Sequence, residues 1–323
     1  MNKEDLKIVY MGTPDFAVEP LRRLVEEKYN VVGVVTMPDK PAGRGHKLQF
    51  SPVKQYAVDN NLHVMQPEKL KAEEFVNELR SLNADLFIVV AFRMLPEVVW
   101  AMPRLGTFNL HGSLLPQYRG AAPLNWAIIN GEKRTGITTF FLTHEIDTGK
   151  IIDQQVIAIE DSDNVGTIHD KLMVMGGDLV IKTVKAILWG GIKPIPQEEL
   201  YASESELKPA PKIFKETCHL DFNNPTENIH NLVRGLSPYP AAWANLSAEG
   251  KEDLQMKIYE TKKEICQHNE TPGTLVTDGK KFLKVATKDG YLHLLQIQVP
   301  GKKRLSIEDF LRGFRFDAEY KLS

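Results

Sequence analysis

The fold is decided first by residues 6–36, which read LKIVYMGTPDFAVEPLRRLVEEKYNVVGVVT. Residues 6–11 are an apolar run typical of a buried strand, and residues 12–15 carry the glycine and proline of a turn. Residues 16–27 space their apolar side chains as a helix does, and residues 31–36 predict a second strand. A strand, a helix and a strand in this order indicate an α/β architecture with a mostly parallel sheet.

The same alternation of predicted strands and helices continues to about residue 190, and beyond it the sequence pattern changes. Further helices are predicted at residues 75–82, 96–102 and 166–188, and further strands at residues 85–91, 106–110, 135–142 and 151–159. Four prolines interrupt residues 190–211, which predicts a linker. Short alternating segments separated by glycine turns follow, and they favour a small β-barrel. We therefore expect a first domain at residues 1–189, the linker at 190–211 and a second domain at 212–323.

Composition and charge restrict the class of protein. The chain has 323 residues, which at roughly 150 residues a domain predicts about two domains. The net charge is −2, so no overall field recruits nucleic acid and any RNA contact is local. Cys218 and Cys266 have no metal-ligand spacing and suit a reducing compartment. The apolar run at residues 86–92 is too short for a membrane span, and the acidic N-terminus does not resemble a signal peptide. We expect a cytoplasmic protein.

Two polar residues alternate at the end of a predicted strand. In the sequence Asn109-Leu110-His111, strand alternation places the side chains of Asn109 and His111 on one face. Ligands of α/β sheets bind at the carboxyl ends of the strands, so both side chains can face one cleft. An asparagine amide can donate to a developing oxyanion, and a histidine can move a proton near pH 7. A lone histidine in such a place is more often structural, and that alternative stays open.

A carboxylate extends this candidate site. Residues 144–149, HEIDTG, lie between two predicted strands. If Asp147 lies beside His111, its carboxylate fixes the imidazole tautomer and supports proton transfer. As an alternative, Asp147 is simply a turn residue before Gly149. Asn, His and Asp together indicate acyl-type transfer, whereas residues 12–16 lack both the G-x-G-x-x-G pattern and the P-loop lysine of nucleotide sites.

Several motifs resemble those of the folate-dependent formyltransferases. They are residues 11–16 (MGTPDF), 109–116 (NLHGSLLP) and 147–149 (DTG), with 119–123 (RGAAP), 210–213 (APKI), 233–236 (VRGL) and 300–303 (PGKK). The resemblance covers the whole chain. It implies a Rossmann-like catalytic domain, an OB-like C-terminal barrel that binds tRNA, and a formyl group taken from 10-formyltetrahydrofolate without a metal. It also implies that Asn109, His111 and Asp147 are the catalytic residues.

The resemblance places the folate beside the loop that follows His111. The residues are Ser113, Leu114, Leu115 and Pro116. An apolar loop of fixed shape can offer backbone hydrogen bonds and apolar walls to a pterin, although the same residues can also merely pack. We expect Phe87, Phe92 and Met94 to line the same cleft. The family commonly has a Tyr-Gly pair where Phe92-Arg93 stands, which predicts a differently shaped wall.

A basic segment follows the second predicted strand. Residues 36–54 contain Lys40, Arg44, Lys47 and Lys54 against a single acid, Asp39, and glycines and prolines interrupt any regular element. We interpret this segment as a long structureless insertion, which is often functional. The resemblance implies that it enters the tRNA acceptor arm, although a solvated surface loop is the commoner meaning of such charge.

Other basic residues lie in the second domain, at Lys280, Lys281, Lys284 and residues 302–304. They either form a phosphate-facing strip or are scattered solubilising charge.

Three functions are compatible with the sequence. The leading hypothesis is transfer of a formyl group to the methionyl amine of initiator tRNA by a monomeric enzyme. Formylation of a small amine, such as a sugar nucleotide or glycinamide ribonucleotide, is the second, and the basic segment and C-terminal domain argue against it. A noncatalytic RNA-binding protein is the third, and the intact Asn109, His111 and Asp147 argue against it.

If Arg44 engages tRNA phosphate, Arg44→Ala should weaken tRNA binding and leave folate affinity unchanged. The slope of log K against log salt should shrink by about one unit, because one phosphate contact is lost. Arg44→Lys should rescue poorly, because lysine keeps the charge but not the planar fork. Binding measured across a salt series tests this, and equal slopes in all three proteins would show that the segment is a solvated connector.

Overall fold

The computed structural model describes the backbone of residues 2–42 and 47–323 and the side chains of residues 2–39 and 49–323. The elements up to residue 188 are listed here in chain order: β1 (Lys7–Gly12), α1 (Val18–Glu26), β2 (Asn30–Val35), β3 (Lys40–Ala42), β4 (Lys47–Gln49), α2 (Pro52–Asp59), β5 (Val64–Met65), α3 (Glu73–Ser81), β6 (Leu86–Val90), α4 (Glu97–Trp100), β7 (Thr107–His111), α5 (Pro123–Ile129), β8 (Arg134–Phe141), β9 (Ile151–Ala158) and α6 (Val165–Leu188). The sequence-based strands and helices of this region are recovered to within a few residues.

Seven of these strands form one sheet, in the order β5-β2-β1-β6-β7-β8-β9. The first five strands in this order, β5, β2, β1, β6 and β7, are parallel. Strand β8 runs antiparallel to β7. This confirms the predicted α/β class with a mostly parallel sheet. Register aligns the carboxyl ends, because Gly12 pairs with Val90 and Val90 pairs with Leu110. The segments that follow β1, β6 and β7 therefore begin at one edge of the sheet.

One face of this sheet is buried under helices. Alternate strand residues point to the same face, so Val9 and Met11 of β1 share a cluster with Phe87 and Val89 of β6. Helix α3 contributes three buried residues to this cluster: Phe75, Val76 and Leu79. Phe87 is 1% exposed. The expectation that Phe87 lines a ligand cleft is therefore wrong, because its position in β6 directs it into the core.

The basic segment is more ordered than expected in its described part. Strands β3 and β4 pair antiparallel, and Pro52 already begins α2, whose N-cap Ser51 accepts a hydrogen bond from the Lys54 amide. The prediction of a structureless insertion is therefore wrong for these residues. The strands are three residues each, too short for the alternation that marks a strand in sequence.

The elements after residue 200 are β10 (Ala242–Ser247), β11 (Leu254–Ile265), β12 (Leu275–Thr277), β13 (Leu283–Ala286), β14 (Gly290–Gln298), β15 (Leu305–Ser306), β16 (Lys321–Leu322), α7 (Thr226–Leu236) and α8 (Ile307–Gly313). The second sheet is antiparallel, with strand order β12-β13-β14-β11-β10-β16. A bridge between Thr274 and Lys321 joins its two ends. The sheet is thus a nearly closed barrel, consistent with the expected OB-like domain.

The barrel has its own core. Helix α7 packs Ile229, Val233 and Leu236 against the inward residues of the strands, and Cys218 is buried in the same cluster. Cys218 is therefore a packing residue.

Spatial contacts divide the chain into two compact units. The first comprises Met1–Gly120, Thr135–Ile157 and His169–Pro209, and the second comprises Ala121–Arg134, Ala158–Ile168 and Ala210–Ser323. The segment expected to be a linker contributes residues up to Pro209 to the first unit. The linear boundaries at 189 and 212 stay a prediction. No helix within the described ranges 2–42 and 47–323 has the length and apolar content needed to cross a membrane.

Stability should depend on pH through His230 of α7. This side chain is 8% exposed, its Nδ1 lies 2.8 Å from Thr261 Oγ1, and burial, with the charges of Lys263 and Arg234, lowers its pKa from 6.5 to about 4. His230 therefore binds a proton near pH 6.5 in the unfolded chain, but only near pH 4 in the folded chain. We expect the free energy of unfolding to fall by up to about 3 kcal/mol as pH drops through that window.

The control is His230→Gln, which cannot gain a charge. Urea unfolding monitored from pH 7 to pH 4.5 should show a smaller decline for this variant than for the wild type. Parallel declines would contradict the role of His230.

Candidate active site

Strand β7 carries the first two residues of the site. Asn109 is half-buried, and its Oδ1 atom is buried without a hydrogen-bond partner among the described residues. A buried amide oxygen without a partner is costly and rare, and such atoms occur where a ligand or water completes the bonding. Asn109 pairs with Val89 on one side and Phe140 on the other, so the strands on both sides fix its position.

His111 lies two residues further along the same face. Its side chain is 7% exposed, and its ring packs edge-on against Phe140 at 6.4 Å between centroids. The Nε2 atom lies 2.9 Å from the carbonyl oxygen of Tyr118. Because a carbonyl only accepts, Nε2 carries the hydrogen and Nδ1 keeps a lone pair in the neutral ring. The backbone thus selects the tautomer, and Nδ1 is the basic atom.

Asp147 faces that lone pair. Its Oδ2 atom lies 3.7 Å from His111 Nδ1, and its side chain is 12% exposed. The same Oδ2 accepts a hydrogen bond of 3.0 Å from the backbone amide of Gly120. The separation exceeds a hydrogen bond but is short for Coulomb attraction to a protonated ring. The carboxylate can therefore stabilise an imidazolium at His111.

The loop that holds Asp147 is conformationally demanding. Asp147 has φ 55°, in the left-handed region that asparagine, aspartate and glycine tolerate best. A Cβ at Gly149 would lie 1.6 Å from the carbonyl oxygen of Phe141, so only glycine fits there. Asp147 is thus both a turn residue and a partner of His111, and the two sequence-based interpretations are compatible.

The expected folate loop is bonded within itself. The Ser113 hydroxyl donates to the Gln117 carbonyl at 2.7 Å, and the Leu115 amide donates to Thr138 Oγ1 at 3.2 Å. The Leu115 carbonyl accepts from the side chain of Gln154 at 2.8 Å. Ser113, Leu115 and Pro116 are buried, and Leu114 is half-buried. These backbone groups are occupied, so the loop offers a rigid surface more than free hydrogen-bonding groups.

The segments that follow β6 and β8 carry exposed apolar side chains. Met94 is 69% exposed and Ile146 is 61% exposed, whereas Phe92 is half-buried. The Trp100 ring of α4 contacts the His144 ring edge-on, with 5.3 Å between the ring centroids. Exposed apolar side chains of this kind form a surface that a flat aromatic ligand can cover.

Arg93 is tied down beside this surface. Its guanidinium donates to the carbonyls of Glu68 at 2.9 Å and Pro67 at 2.6 Å, and burial lowers its pKa. Arg93 therefore anchors the loop after β6 to residues 67–68.

The structure describes only part of the basic segment. Lys40 and Lys47 lie in β3 and β4, their side chains are outside the described part, and Arg44 lies outside the described residues. Lys54 forms an ion pair with Asp39, and hydrogen bonds from Lys54 and Gln66 lower the pKa of that carboxyl. The segment's single acid is therefore already neutralised within the fold.

In the barrel, Lys284 is paired internally. Its ammonium lies 2.9 Å from Glu264 and 4.0 Å from the Tyr291 ring centroid. Arg304 stacks over Tyr259 at 3.6 Å. The charge of Lys284 is thus largely offset, which weakens its place in a phosphate-facing strip.

Sequence reasoning missed the residues that support the site. In the sequence, Arg119 and Gly120 belong to a family motif without an individual signal, and Gln197 lies in the predicted linker. Gln197 is fully buried and donates to the carbonyls of Asp147 and Gly149. A single glutamine among prolines gives no periodic signal, so only the fold identifies it.

Comparison with known protein families identifies the family of this chain. A family model described as formyl transferase matches residues 6–184, and one described as formyl transferase, C-terminal domain, matches residues 212–315. The chain belongs to the formyl transferase family, and it is an enzyme of that class.

Relatives that match this chain over its full length are named methionyl-tRNA formyltransferase. The chain is 64% identical over 323 residues to methionyl-tRNA formyltransferase of Bacteroides thetaiotaomicron, covering all of both chains. It is 52% identical over 319 residues to methionyl-tRNA formyltransferase of Flavobacterium johnsoniae, covering 99% of each.

Solved structures share the fold at lower identity. The sugar 3N-formyl transferase WlaRD, in the presence of dTDP and 5-N-formyl-THF, superposes with TM-score 0.64 at 20% identity, covering 92% of this chain and 99% of that one. HypX from Aquifex aeolicus, in complex with tetrahydrofolic acid, gives TM-score 0.61 at 18% identity, covering 97% and 50%. At this identity the likeness establishes the fold alone.

The proximity of His111 and Asp147 predicts energetic coupling in formyl transfer. His111→Ala and Asp147→Asn should each lower kcat by about 10²-fold, and the double variant should lose little more, because neither group transfers protons well alone. Single-turnover rates of the four proteins measure the coupling. Losses that multiply in the double variant would show that the two residues act independently.

Proposed function

We propose that this formyl transferase moves the formyl group of 10-formyltetrahydrofolate to the amino group of methionyl initiator tRNA. The observation that carries the chemistry is the His111 Nδ1 atom 3.7 Å from the Asp147 carboxylate, on the strand face shared with Asn109. Full-length relatives at 64% identity that bear the name methionyl-tRNA formyltransferase support the choice of acceptor.

The first step is attack of the methionyl amine on the formyl carbon. A new C–N bond forms and the carbonyl electron pair moves to oxygen. The Asn109 side-chain NH2 group donates to that oxyanion, and its Oδ1 atom, which has no partner among the described residues, stays open to a donor of the substrate. A donor held on a strand between two neighbours needs no reorganisation when the charge develops.

The second step moves a proton. As the amine bonds to carbon it becomes cationic, and His111 Nδ1 accepts its proton while Asp147 stabilises the imidazolium. His111 then returns the proton to the N10 nitrogen as the bond between N10 and the formyl carbon breaks. Tetrahydrofolate and the formylated amine leave, and every proton is accounted for within the site.

The chain's residues fit a folate-type donor by shape. The loop of Ser113, Leu114, Leu115 and Pro116 supplies a wall fixed by its internal hydrogen bonds. Phe92 and Met94, in the segment that follows β6, supply further apolar surface. The unpartnered Asn109 Oδ1 is an acceptor that a donor group of the ligand can satisfy.

The proposed binding of tRNA is argued from the positive charge of the basic segment. Lys40, Arg44 and Lys47 lie in a segment whose single acid is paired with Lys54, which leaves the cations for phosphate. Residues 212–323 form the OB-like domain, a fold used to bind oligonucleotides, and serve as the second tRNA contact. The enzyme acts in this proposal as a cytoplasmic monomer.

A parallel assay tests the acceptor. Purified enzyme and 10-formyltetrahydrofolate are incubated with charged initiator tRNA, with uncharged tRNA, and with a sugar nucleotide or glycinamide ribonucleotide. Formylation of charged tRNA alone is the expected result. Faster formylation of a small amine would overturn the proposal in favour of an activity like that of the sugar formyl transferases that share the fold.

Asn109→Ala should lower kcat by roughly 10²-fold or more and leave folate affinity nearly unchanged, because the lost bond is strongest in the transition state. Steady-state kinetics together with folate titration measure the two effects. The exposed Asn77→Ala on α3 is the matched control and should behave as wild type. Near-normal turnover of Asn109→Ala would remove Asn109 from the mechanism.

A further inference from the structure

The segment of residues 195–208 supports both sides of the catalytic pair. We propose that Gln197, held by Arg119, is a positioning residue that fixes Asp147 opposite His111. This inference rests on the proposed function for its kinetic readout. The segment was expected to be a linker, but Ile195 bridges to Ile151 and all its residues belong to the first compact unit.

The Gln197 amide is saturated with hydrogen bonds. Its Nε2 donates to the Asp147 carbonyl at 2.9 Å and to the Gly149 carbonyl at 2.8 Å. Its Oε1 accepts from Arg119 Nε at 3.0 Å and from Arg119 Nη2 at 2.7 Å. The residue is 0% exposed, so each bond forms away from water. Two donors and two lone pairs are all used, which fixes the amide's orientation.

This amide clamps the backbone on either side of the turn. Asp147 has φ 55° and therefore sits in a sparsely populated conformation that surrounding contacts must hold. Without Gln197, the carbonyls of Asp147 and Gly149 would lose their shared donor, and the turn could relax. Relaxation would move the carboxylate away from His111 Nδ1 and from the Gly120 amide.

The segment of residues 195–208 is also hydrogen-bonded to the loop beside His111. The Lys208 carbonyl accepts from the Tyr118 amide at 2.7 Å, and the Lys208 amide donates to the Gln117 side chain at 2.8 Å. Tyr118 in turn offers its carbonyl to His111 Nε2. Arg119 and Gly120, which contact Gln197 and Asp147, follow directly. One segment thus orients the loop that sets the histidine tautomer and the turn that carries the carboxylate.

Two substitutions at Gln197 separate its contacts. Gln197→Met keeps the length and removes every hydrogen bond. Gln197→Glu keeps an acceptor for Arg119 but turns a carboxylate towards two carbonyl oxygens. We expect kcat to fall about tenfold in the first and further in the second, with KM for folate and tRNA within about twofold of wild type.

Thr183→Val is the matched control. Thr183 is buried in α6 and shares a 2.8 Å hydrogen bond with Thr139, so its loss costs stability without touching the site. The proposal expects Thr183→Val to lower the melting temperature and leave kcat unchanged. In an Asp147→Asn background, Gln197→Met should add little to the loss of kcat. Equal kcat in Gln197→Met and wild type, a loss confined to KM, or losses that multiply with Asp147→Asn would overturn it.

A measurement independent of activity distinguishes this proposal from the proposed function. Hydrogen exchange of the Gly120 amide, followed by NMR, reports its bond to Asp147 Oδ2 directly. Gly120 should exchange faster in Gln197→Met than in wild type or Thr183→Val. Unchanged Gly120 exchange would refute the positioning role even if the enzyme formylates tRNA. Faster exchange would support it even if another amine proves to be the acceptor.

Discussion

The site depends on the register of β7 between its neighbours. Val89 pairs with Asn109, and Asn109 pairs with Phe140. A slip of one residue would turn Asn109 and His111 to the opposite face of the sheet, because side chains alternate with period two. Phe108 and Leu110, which alternate with Asn109 and His111 along β7, are buried, so a slip would expose them and the apolar core therefore specifies this register.

A second constraint is the supply of hydrogen bonds to a strained turn. Asp147 occupies the left-handed region, and its side chain and backbone are bonded to different parts of the chain. Buried polar networks of this kind specify one geometry only when every member is satisfied. Gln197 is fully satisfied, whereas Asn109 Oδ1 is not. A side chain with all its hydrogen bonds formed suits a supporting residue. A side chain with an unused acceptor suits a residue that contacts the substrate.

The second unit obtains its stability differently. Its sheet closes through the bridge of Thr274 to Lys321, so few strand edges remain free. Its interior combines an apolar cluster with His230, whose burial lowers its pKa. Some cations of this unit already form ion pairs within it, as Lys284 does with Glu264. Counting lysines in the sequence therefore overestimates the charge available to an RNA.

The alternation of strands and helices and the shared face of Asn109 and His111 can be predicted from the sequence, because both follow from local periods of 3.6 and 2 residues. The sequence also supplied Asp147, through a family motif. The burial of Phe87 in the core and the hydrogen bond from Gln197 to the Asp147 turn are visible only in the folded chain. Gln197 lies 50 residues from Asp147 and 78 from Arg119. Hydrogen bonds between such distant residues leave no local pattern, since the folded chain alone brings them together.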